Sequence, residues 1–306
     1  MGLRIRTNIS SLNAQRELGQ SSRRLRTVYE KLTSGKRINK AADDPGGFGV
    51  SQTLRKNIRS LNAAKRNASD GISIIQTAEG GLNETQAMLV RLRELAIQAA
   101  SDTVGMQGRD FIQLEYAALK DEIDRIASST EFNGTRLLVG SRNHSPSDLD
   151  LSEDNTFPLE VQVNKDYFPE ADDIENRNPI NIIQLDFGQL DAYAEGLGIG
   201  ASQDDDGTRV DSLEGAQNSI GQLDHALHKV NSYRAYLGSV QNRMTSTINN
   251  LEVHIENLNT SKSRIVDTDF AAQTANLTQE NILRQSGASV LRSSNSSPEI
   301  VLSLIG

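Results

Sequence analysis

The sequence predicts a mainly α fold, an elongated antiparallel helical bundle or coiled coil with a small β-rich segment. Two stripes of apolar residues, over 50–99 and 213–258, recur at steps of three and four, which is the period of an α-helix. Aromatic residues make up only 4% of the 306 residues and Trp is absent, which favours close helix-on-helix packing of small aliphatic side chains. Between the stripes, over about 137–201, prolines interrupt the helical period, so the β-rich segment is expected there.

The first long helix is predicted to begin next to Asp44. This residue offers a side-chain acceptor to the first turn, and Pro45 suits the first helical position because that N–H would have no helical partner. Continued to residue 99, the helix would be about 75 Å long at about 1.5 Å per residue. The apolar positions of its stripe are Val50, Leu54, Ile58, Leu61, Ala64, Ala68, Ile72, Ile75, Ala78, Leu82, Leu89, Leu92, Ala96 and Ala99.

The second stripe predicts a helix of comparable length. A helix this long cannot bury its apolar stripe alone, so the two are expected to pack together. The stripe consists of Leu213, Ala216, Ile220, Leu223, Leu227, Val230, Leu237, Val240, Met244, Ile248, Leu251, Ile255 and Leu258.

An acidic run at 204–206 precedes this helix. It lacks the alternate spacing of a calcium loop, and we interpret it as turn and helix-start sequence, with Thr208 and Asp211 forming a capping box.

Shorter elements are predicted between the two long helices. An amphipathic helix is expected over about 111–128, and Asn133-Gly134 after it is a turn signal. Leu159, Val161 and Val163 alternate with polar residues, which is the period of a half-buried strand.

Both ends of the chain have helical character but thin apolar stripes. Over 3–32 and 265–291, Leu and Ile recur at helical spacing, yet Ser, Asn, Gln and Arg interrupt the pattern. Such segments bury too little apolar surface to offset the entropy of ordering, so we expect them to fold on assembly. The run Ile300–Ile305 is also unusually apolar for an unpaired tail.

The net charge of −8 hides an asymmetry along the chain. Residues 1–66 contain 15 Lys and Arg against four Asp and Glu, whereas residues 141–215 contain four against 18. A basic half is compatible with nucleic-acid binding, but its only aromatic residues are Tyr29 and Phe48 and it has no recognition motif. We therefore expect no nucleic acid as a partner and interpret the basic residues as a solvated or subunit-facing helix surface.

Other functional classes find little support in the residues. The absence of cysteine excludes disulfides, thiolate metal sites and a Cys nucleophile. Neither a membrane-spanning run nor a secretory signal peptide is present, so we expect no membrane partner, and an exported destination would need a route that reads another signal. His225, His228 and His254 lack a clustered third ligand, and the glycines over 196–200 lack the following Lys-Ser/Thr of a phosphate loop. We predict no enzyme, no cofactor and no metal.

Several blocks of sequence are similar to those of bacterial flagellins, in the same order. The N-terminal half contains TNISSLNAQRELG, KLTSGKRINKAADDPGGFGVS, RNASDGISIIQTAEGGLNE, RLRELAIQAASDT and STEFNGTRLL. The C-terminal half contains VNSYRAYLGSVQNRMTSTINNLEVHIENLNTSKSRIVDTDFA and VLSLIG. Together these blocks cover about residues 1–140 and 210–306. The chain thus resembles a flagellin, a non-enzymatic filament subunit, in a compact form without large outer domains.

The resemblance implies two helical layers. Residues 1–44 and 263–306 would pair as a terminal layer that forms the inner tube of the filament. Residues 45–140 and 202–262 would form the two parts of the middle helical bundle. Residues 141–201 would be a short β and loop segment of the middle layer, with no separate outer domain.

The resemblance also implies partners and site residues. The subunit would be exported by the flagellar type III apparatus without a cleavable signal peptide and would polymerise head-to-tail with other copies into an extracellular filament. An export chaperone would bind the C-terminal region, and filament cap and hook-junction proteins would be further partners. A middle-layer patch of Arg91, Leu95 and Glu115 would meet the vertebrate Toll-like flagellin receptor. The assembly residues predicted in the terminal helices are Ile5, Ile9, Leu12, Leu25, Leu32, Phe270, Leu277, Leu302 and Leu304.

Two stretches depart from the usual flagellin pattern. Pro45-Gly46-Gly47 stands where relatives tend to have Ala-rich sequence, which predicts a more flexible joint between the layers. The serines over 293–297 stand where Gln and Ala are usual, and they would make the lumen of the filament rich in hydroxyls if this stretch lines it.

Two other functions share some of these sequence features. The hook-filament junction protein shares helical ends and an ADDP-like motif, but the NISSLNAQ opening and the RNASDGISIIQTAEG block favour flagellin. A helical-hairpin binding module would not explain the apolar run Ile300–Ile305.

Overall fold

A computed structural model describes residues 8–140, 158–166, 181–201 and 207–305, with the side chains of the last helix up to residue 296. The helices are α1 (Ile9–Ser34), α2 (Pro45–Ala99), α3 (Met106–Ser129), the four-residue α4 (Ala194–Leu197), α5 (Leu213–Val266) and α6 (Phe270–Ile305). The strands are β1 (Glu131–Phe132), β2 (Thr135–Arg136), β3 (Leu159–Gln162) and β4 (Ile182–Leu185). The mainly α fold class predicted from the apolar periodicity is confirmed.

The chain divides into two compact units. Unit 1 comprises residues 1–59 and 255–306, and unit 2 comprises residues 60–254. Both long helices, α2 and α5, contribute residues to each unit. The layer boundaries at 44/45 and 262/263 remain predictions from the sequence.

Helix α2 begins at Pro45, as the Asp-Pro pair predicts. The backbone N–H of Gly47 donates to Asp44 Oδ1 at 2.9 Å, and the N–H of Phe48 donates to the Asp44 carbonyl at 2.9 Å. Asp44 therefore caps the helix. A Cβ on Gly47 would overlap the Asp44 carboxylate, so glycine lets the cap close over the first turn. Residues 45–47 thus form a capped helical turn, where a flexible joint was expected.

In unit 2, α2 and α5 pack antiparallel. Lys65 Nζ lies 2.5 Å from Glu252 Oε1 near one end of the pair, and Arg93 Nε lies 2.6 Å from Asp224 Oδ1 near the other. The side chains that pack between the two helices belong to the predicted stripes. Fully or nearly fully buried members are Ala68, Ile75, Ala78, Leu82, Leu89 and Leu92 on α2 and Ala216, Leu223, Val230, Leu237, Val240 and Met244 on α5. The predicted pairing of the two stripes is therefore observed within this unit.

Helix α3 starts five residues before its predicted first residue and ends next to the predicted turn. After it, β1 and β2 pair antiparallel through Glu131↔Arg136 and Phe132↔Thr135, with Asn133 and Gly134 between them. Leu137 and Leu138 follow directly and are fully buried in the core of unit 2. The hairpin therefore leads the chain from the end of α3 into the core.

The second pair of strands confirms the alternating pattern predicted over 159–163. β3 and β4 pair antiparallel from Leu159↔Leu185 to Gln162↔Ile182. Val161 and Ile183 are paired in register, and both side chains join the core of unit 2.

The predicted capping box at Thr208 and Asp211 is wrong. The cap of α5 is Ser212, whose Oγ accepts from the N–H of Gly215 at 3.2 Å and whose carbonyl accepts from Ala216 at 2.9 Å. Thr208 is buried instead, and its hydroxyl donates to the Ile199 carbonyl at 2.9 Å. Thr208 cannot cap the helix because its buried side chain is already bonded to the preceding segment, and α5 begins at Leu213, the first residue of the predicted stripe.

A buried lysine holds the same segment against α3. Lys120 is only 2% exposed, and its Nζ donates to the carbonyls of Ala201 at 2.9 Å and Thr208 at 3.3 Å. A buried ammonium group must be hydrogen-bonded, so these carbonyls supply what water would otherwise provide. Both ends of the connection 201–208 are thereby fixed to one side chain.

Candidate functional site: the paired terminal helices

Each terminal helix begins with a side-chain cap. For α1, Asn8 Oδ1 accepts from the N–H of Ser11 at 3.1 Å, and Gly35 ends the helix with a φ of 67°. For α6, Asp269 Oδ1 accepts from Ala271 at 2.8 Å and Ala272 at 3.2 Å. The left-handed φ of Gly35 favours glycine because it lacks a Cβ. Local sequence therefore sets where both helices begin and where α1 ends.

The segments after α1 and before α6 pair through their backbones. The N–H of Arg37 donates to the Val266 carbonyl at 2.6 Å, and the N–H of Thr268 donates to the Gly35 carbonyl at 3.1 Å. Lys36 and Asp267 form an antiparallel β-bridge between these bonds. This short ladder joins the base of α1 to the base of α6 within unit 1.

From this base, α1 and α6 run antiparallel and share a seam. The α1 residues of the seam have reduced exposure and recur at steps of three and four, the spacing of a coiled coil. They are Ser11, Ala14, Leu18, Ser21, Leu25, Val28 and Leu32. The corresponding residues of α6 are Gln273, Leu277, Glu280, Gly287, Leu291 and Ser294. Polar and small residues occupy about half of the seam, which explains the thin apolar stripes in the sequence.

The far end of the seam is held by hydrogen bonds of side chains. Asn8 Nδ2 donates to the Ser294 carbonyl at 2.7 Å, and Ser11 Oγ donates to Asn295 Oδ1 at 2.7 Å. Hydrogen bonds are directional, so this pairing specifies one register of α1 on α6. An apolar seam with the same spacing would discriminate less sharply between registers.

The middle of the seam contains a charged group. Glu280 Oε2 accepts from Ser21 Oγ at 2.9 Å, and Glu280 Oε1 accepts from Arg24 Nε at 2.7 Å. The bond from Arg24 is the main reason why the pKa of Glu280 lies below its ordinary value, and the bond from Ser21 lowers it further. Glu280 is therefore held ionised between the two helices.

The remaining apolar side chains of α1 and α6 face outward. Large apolar side chains between 43% and 57% exposed are Ile9, Leu12 and Tyr29 on α1 and Phe270, Ile282, Leu283 and Val290 on α6. Against them, the described part of unit 1 has only three apolar side chains that are less than a tenth exposed: Leu25, Ile38 and Val266. Unit 1 exposes more large apolar side chains on its terminal helices than it buries.

The structure separates the predicted assembly residues into two groups. Leu25 is buried in the seam, and Leu32 and Leu277 are half-buried in it. Ile9, Leu12 and Phe270 are exposed on the outer faces. Ile5 lies outside the described residues, and Leu302 and Leu304 belong to the last turns of α6, where side chains are not described.

Sequence reasoning missed the polar members of the seam and three outer residues. The missed residues are Asn8, Ser11, Ser21, Arg24, Glu280 and Asn295 in the seam and Ile282, Leu283 and Val290 on the outer face of α6. A periodicity search that counts only apolar residues passes over serine. The spacing of Ser11, Leu18 and Leu25 at seven-residue intervals is the signal that would have found the seam.

The predicted receptor patch lies in unit 2 on α2 and α3. Arg91 Nη2 lies 2.8 Å from Glu115 Oε1, and both side chains are about half exposed. The hydrogen bond to Glu115 is the main reason why the pKa of Arg91 is raised. Leu95 is only 2% exposed and packs in the core beneath this surface. The structure thus places two of the three residues at the surface and the third below it.

The described part of the chain offers neither a clustered metal site nor a membrane-spanning helix. Over these residues, no group of three or more His, Asp or Glu side chains is placed to hold a metal ion. None of the helices is both long enough and apolar enough to cross a bilayer within the same described ranges.

Comparison with protein families decides the identity. The description "Bacterial flagellin N-terminal helical region" matches residues 5–143, and "Bacterial flagellin C-terminal helical region" matches residues 220–305. Together the two matches cover well over half of the chain. The chain belongs to the bacterial flagellin family. The resemblance derived from the sequence blocks is therefore confirmed.

Individual flagellins match along the whole chain. Flagellin FlaB1 of Treponema pallidum (strain Nichols) is 37% identical over 301 residues, covering 98% of this chain and 99% of the relative. Flagellin D of Vibrio anguillarum is 35% identical over 377 aligned positions, covering both chains in full. Because the second alignment is longer than 306 residues, the Vibrio flagellin has residues that this chain lacks. This difference agrees with a compact flagellin.

A solved structure shares the fold. A Vibrio parahaemolyticus protein described as a flagellar hook-associated protein superposes with a TM-score of 0.57 and 13% identity, covering 74% of this chain and 100% of its own. At this identity the likeness concerns the fold alone. The full-length relatives above are flagellins, so the hook-junction alternative is not better supported. A flagellin is a structural subunit of the bacterial flagellar filament, and this is the function of the chain.

Proposed function

We propose that unit 1 is the part through which one subunit adds head-to-tail to the next in the filament, and that the outward side chains of α1 and α6 make the contact. The observation that carries this proposal is the excess of exposed over buried apolar side chains in unit 1. Full burial of a large apolar side chain contributes about 1.5–3 kcal/mol, and these half-exposed side chains would gain about half of that each when they are covered.

The polar contacts of the seam within one subunit also support this proposal. Its contacts include Ser11 with Asn295 and Glu280 with Ser21 and Arg24, which exchange for hydrogen bonds with water when the helices separate. Such exchange leaves only a modest net gain per bond. The α1–α6 pair is therefore weakly stabilised by its own contacts, and its order depends on neighbouring copies.

Head-to-tail addition follows from the use of different outer faces. Ile9 and Leu12 lie on α1, whereas Ile282 and Val290 lie on α6. If the α1 face of one copy packs against the α6 face of the next, the contact is heterologous. A heterologous contact that does not close into a ring propagates as a helical array.

Seeded filament growth with outer-face variants tests this proposal. The double variant Leu12→Ser, Ile282→Ser exchanges one exposed apolar side chain on each helix and leaves the described seam contacts in place. We expect no elongation of filament seeds in electron micrographs, with helical content by circular dichroism unchanged. The matched control is Leu114→Ser on α3 in unit 2, which is also exposed and should elongate seeds normally. Normal filaments from the double variant would contradict the proposal.

A truncation separates the filament subunit from its nearest alternative. Removing residues 291–306 deletes the last part of α6, including the Ser294 and Asn295 contacts to α1. We expect seed elongation to be lost while unit 2 stays helical. Full-length protein should form long tubes on seeds, whereas stubby caps would indicate a junction protein.

The other partners are proposed on the same surfaces. A flagellar export chaperone would cover the exposed apolar face of α6 before assembly, and the filament cap and hook-junction proteins would meet the same faces at the ends of the filament. Complex formation between purified chaperone and the Ile282→Ser variant, compared with Leu114→Ser, tests the first of these contacts. Undiminished binding of Ile282→Ser would place the chaperone elsewhere.

We also propose that the Arg91–Glu115 pair is the exposed part of a patch for the Toll-like flagellin receptor, with Leu95 supporting it from below. Support comes from the half-exposed ion pair at 2.8 Å and the buried Leu95. Arg91→Ala should lower receptor signalling in reporter cells. The control Arg125→Ala breaks a similar exposed pair with Glu122 on α3 and should signal normally. Equal signalling by both variants argues against the patch.

A further inference from the structure

Asn133 has the one positive φ of a non-glycine residue in the described part of the chain, at 51°. Gly134 follows with a φ of 81°. The two residues connect β1 to β2, whose last pair is Phe132↔Thr135. A two-residue hairpin turn with positive φ at both positions selects Asn-Gly, because Asn tolerates the left-handed region and Gly has no Cβ. The turn therefore favours this dipeptide, which occurs once in the sequence.

The same dipeptide is the one most prone to attack on its own side chain. The backbone nitrogen of the following residue can reach the side-chain carbonyl carbon of Asn, and a glycine at that position offers no Cβ to obstruct the approach. Around Gly134, the position of a Cβ has no heavy atom within 4 Å. Both residues are exposed, so water reaches the reacting atoms.

We infer that Asn133 is a site of spontaneous deamidation in the folded subunit. The nitrogen of Gly134 loses its proton and forms a bond to Cγ of Asn133, while the Cγ–Nδ2 bond breaks and ammonia leaves. Water then opens the five-membered imide at either carbonyl, which yields aspartate or isoaspartate. The overall change adds one water and releases one ammonia, with no change in oxidation state.

The closing step needs the turn to open. With both central residues in the left-handed region, the torsion between Cα and the carbonyl carbon of Asn133 must rotate before the Gly134 nitrogen can face Cγ. The hairpin has only two residue pairs, so its opening takes less free energy than unfolding of unit 2. The buried Leu137 and Leu138 anchor the chain beyond the hairpin. Deamidation therefore proceeds by local opening.

The two products differ in their effect. Aspartate keeps the backbone and adds a negative charge two residues from Glu131. Isoaspartate inserts a methylene into the backbone, which displaces the Phe132↔Thr135 pair and loosens the anchor at Leu137. The fraction of modified Asn133 thus records the age of a subunit, and its isoaspartate form weakens the hairpin.

Incubation of the full-length protein for days at neutral and mildly alkaline pH tests this inference. Peptide mapping should show conversion at Asn133, faster at the higher pH because the attacking nitrogen must lose its proton. Isoaspartyl methyltransferase should label the same peptide. Asn67 within α2 is the internal control and should stay unmodified, because its backbone is helical. Asn133→Gly keeps a turn-compatible residue and removes the side chain, so labelling of this peptide should be lost.

Two outcomes overturn the inference. One is an unmodified Asn133 in the folded protein over a period in which a synthetic peptide of residues 128–139 converts completely. The other is a conversion rate that rises in step with global destabilisation, measured in the core variant Leu223→Ala, because Leu223 is buried near the Arg93–Asp224 pair, away from the hairpin and its anchor. Equal rates in Leu223→Ala and the unaltered protein support local opening.

Discussion

Ser21 Oγ donates a hydrogen bond of 2.9 Å to Glu280 Oε2, although the two residues are 259 positions apart in the chain. With Arg24 on the other carboxylate oxygen, this bond places a charged group between α1 and α6. The pairing of the terminal helices therefore depends on an ionised carboxylate, so its strength should depend on pH.

Acid should weaken the pairing of the terminal helices through Glu280. Its folded-state pKa is lowered, chiefly by the bond from Arg24, so its contribution is present above the ordinary pKa of glutamate. The contribution is lost as pH falls through the lowered value. The critical concentration for seeded growth should therefore rise as pH falls through the carboxyl range.

The variant Glu280→Gln isolates this contribution. It should raise the critical concentration at neutral pH and flatten the acid dependence, because the titrating group is gone. The control is Glu17→Gln on the same helix pair, where the ion pair with Arg16 spans 3.9 Å and both side chains are well exposed. An unchanged critical concentration and acid profile in Glu280→Gln would falsify the role given to this residue.

Core truncation in unit 2 should be strongly destabilising. Leu82 is fully buried on α2, so Leu82→Ala should lower the free energy of unfolding by about 2–5 kcal/mol through lost burial and a residual cavity. The same substitution at Leu114, which is 69% exposed, should change it by less than about 0.5 kcal/mol. Urea unfolding of the unassembled protein measures both. Similar losses for the two variants contradict the assignment of the core.

The start of α5 depends on Ser212. Ser212→Ala should lower the free energy of unfolding by about 1 kcal/mol, because the N–H of Gly215 loses its acceptor. Ser212→Asp restores an acceptor and should recover most of this loss. Asp211→Ala distinguishes the observed cap from the predicted capping box and should have little effect in urea unfolding. A larger loss for Asp211→Ala than for Ser212→Ala would favour the capping box.

Removal of the buried ammonium group of Lys120 should destabilise the protein. In Lys120→Met the carbonyls of Ala201 and Thr208 lose this donor, and the free energy of unfolding should fall by about 1–3 kcal/mol. Lys229→Met is the matched control, because Lys229 also donates to a carbonyl, that of Gly196, but is exposed. Thermal unfolding followed by circular dichroism compares the two. Equal shifts in Tm mean that burial is not what makes Lys120 important.

Residue types alone predicted the elements whose signal is strong and local. The stripes through Leu82 and Leu237 gave two long helices because repeated steps of three and four leave one helical face to bury. Asp44-Pro45 marked the start of α2, and Asn133-Gly134 marked a turn, because only a few residue types suit those backbone conformations. Local preference did not locate the cap of α5. Thr208 has a side chain suited to capping, but its hydroxyl donates to the Ile199 carbonyl instead.

The seam and the outer faces depended on the fold. Val50 belongs to the predicted stripe of α2, yet it is 51% exposed, because apolar periodicity does not reveal which part of a long helix has a partner. Ser11 and Ser21 read as surface residues in the sequence, but the pairing with α6 buries them. Spacing alone also did not decide that Leu25 faces inward and Leu12 outward, because both are leucines on one amphipathic helix.

The amino-acid sequence by itself determined the class of fold, the position of the main helices and the membership of the flagellin family, because these follow from local periodicity and from ordered blocks of residues. Only the tertiary structure decided which serines, asparagines and carboxylates of the two chain ends meet. The physical reason is that a polar side chain has similar local preferences whether water or a partner some 260 positions away satisfies it, and only the fold brings that partner within 2.9 Å.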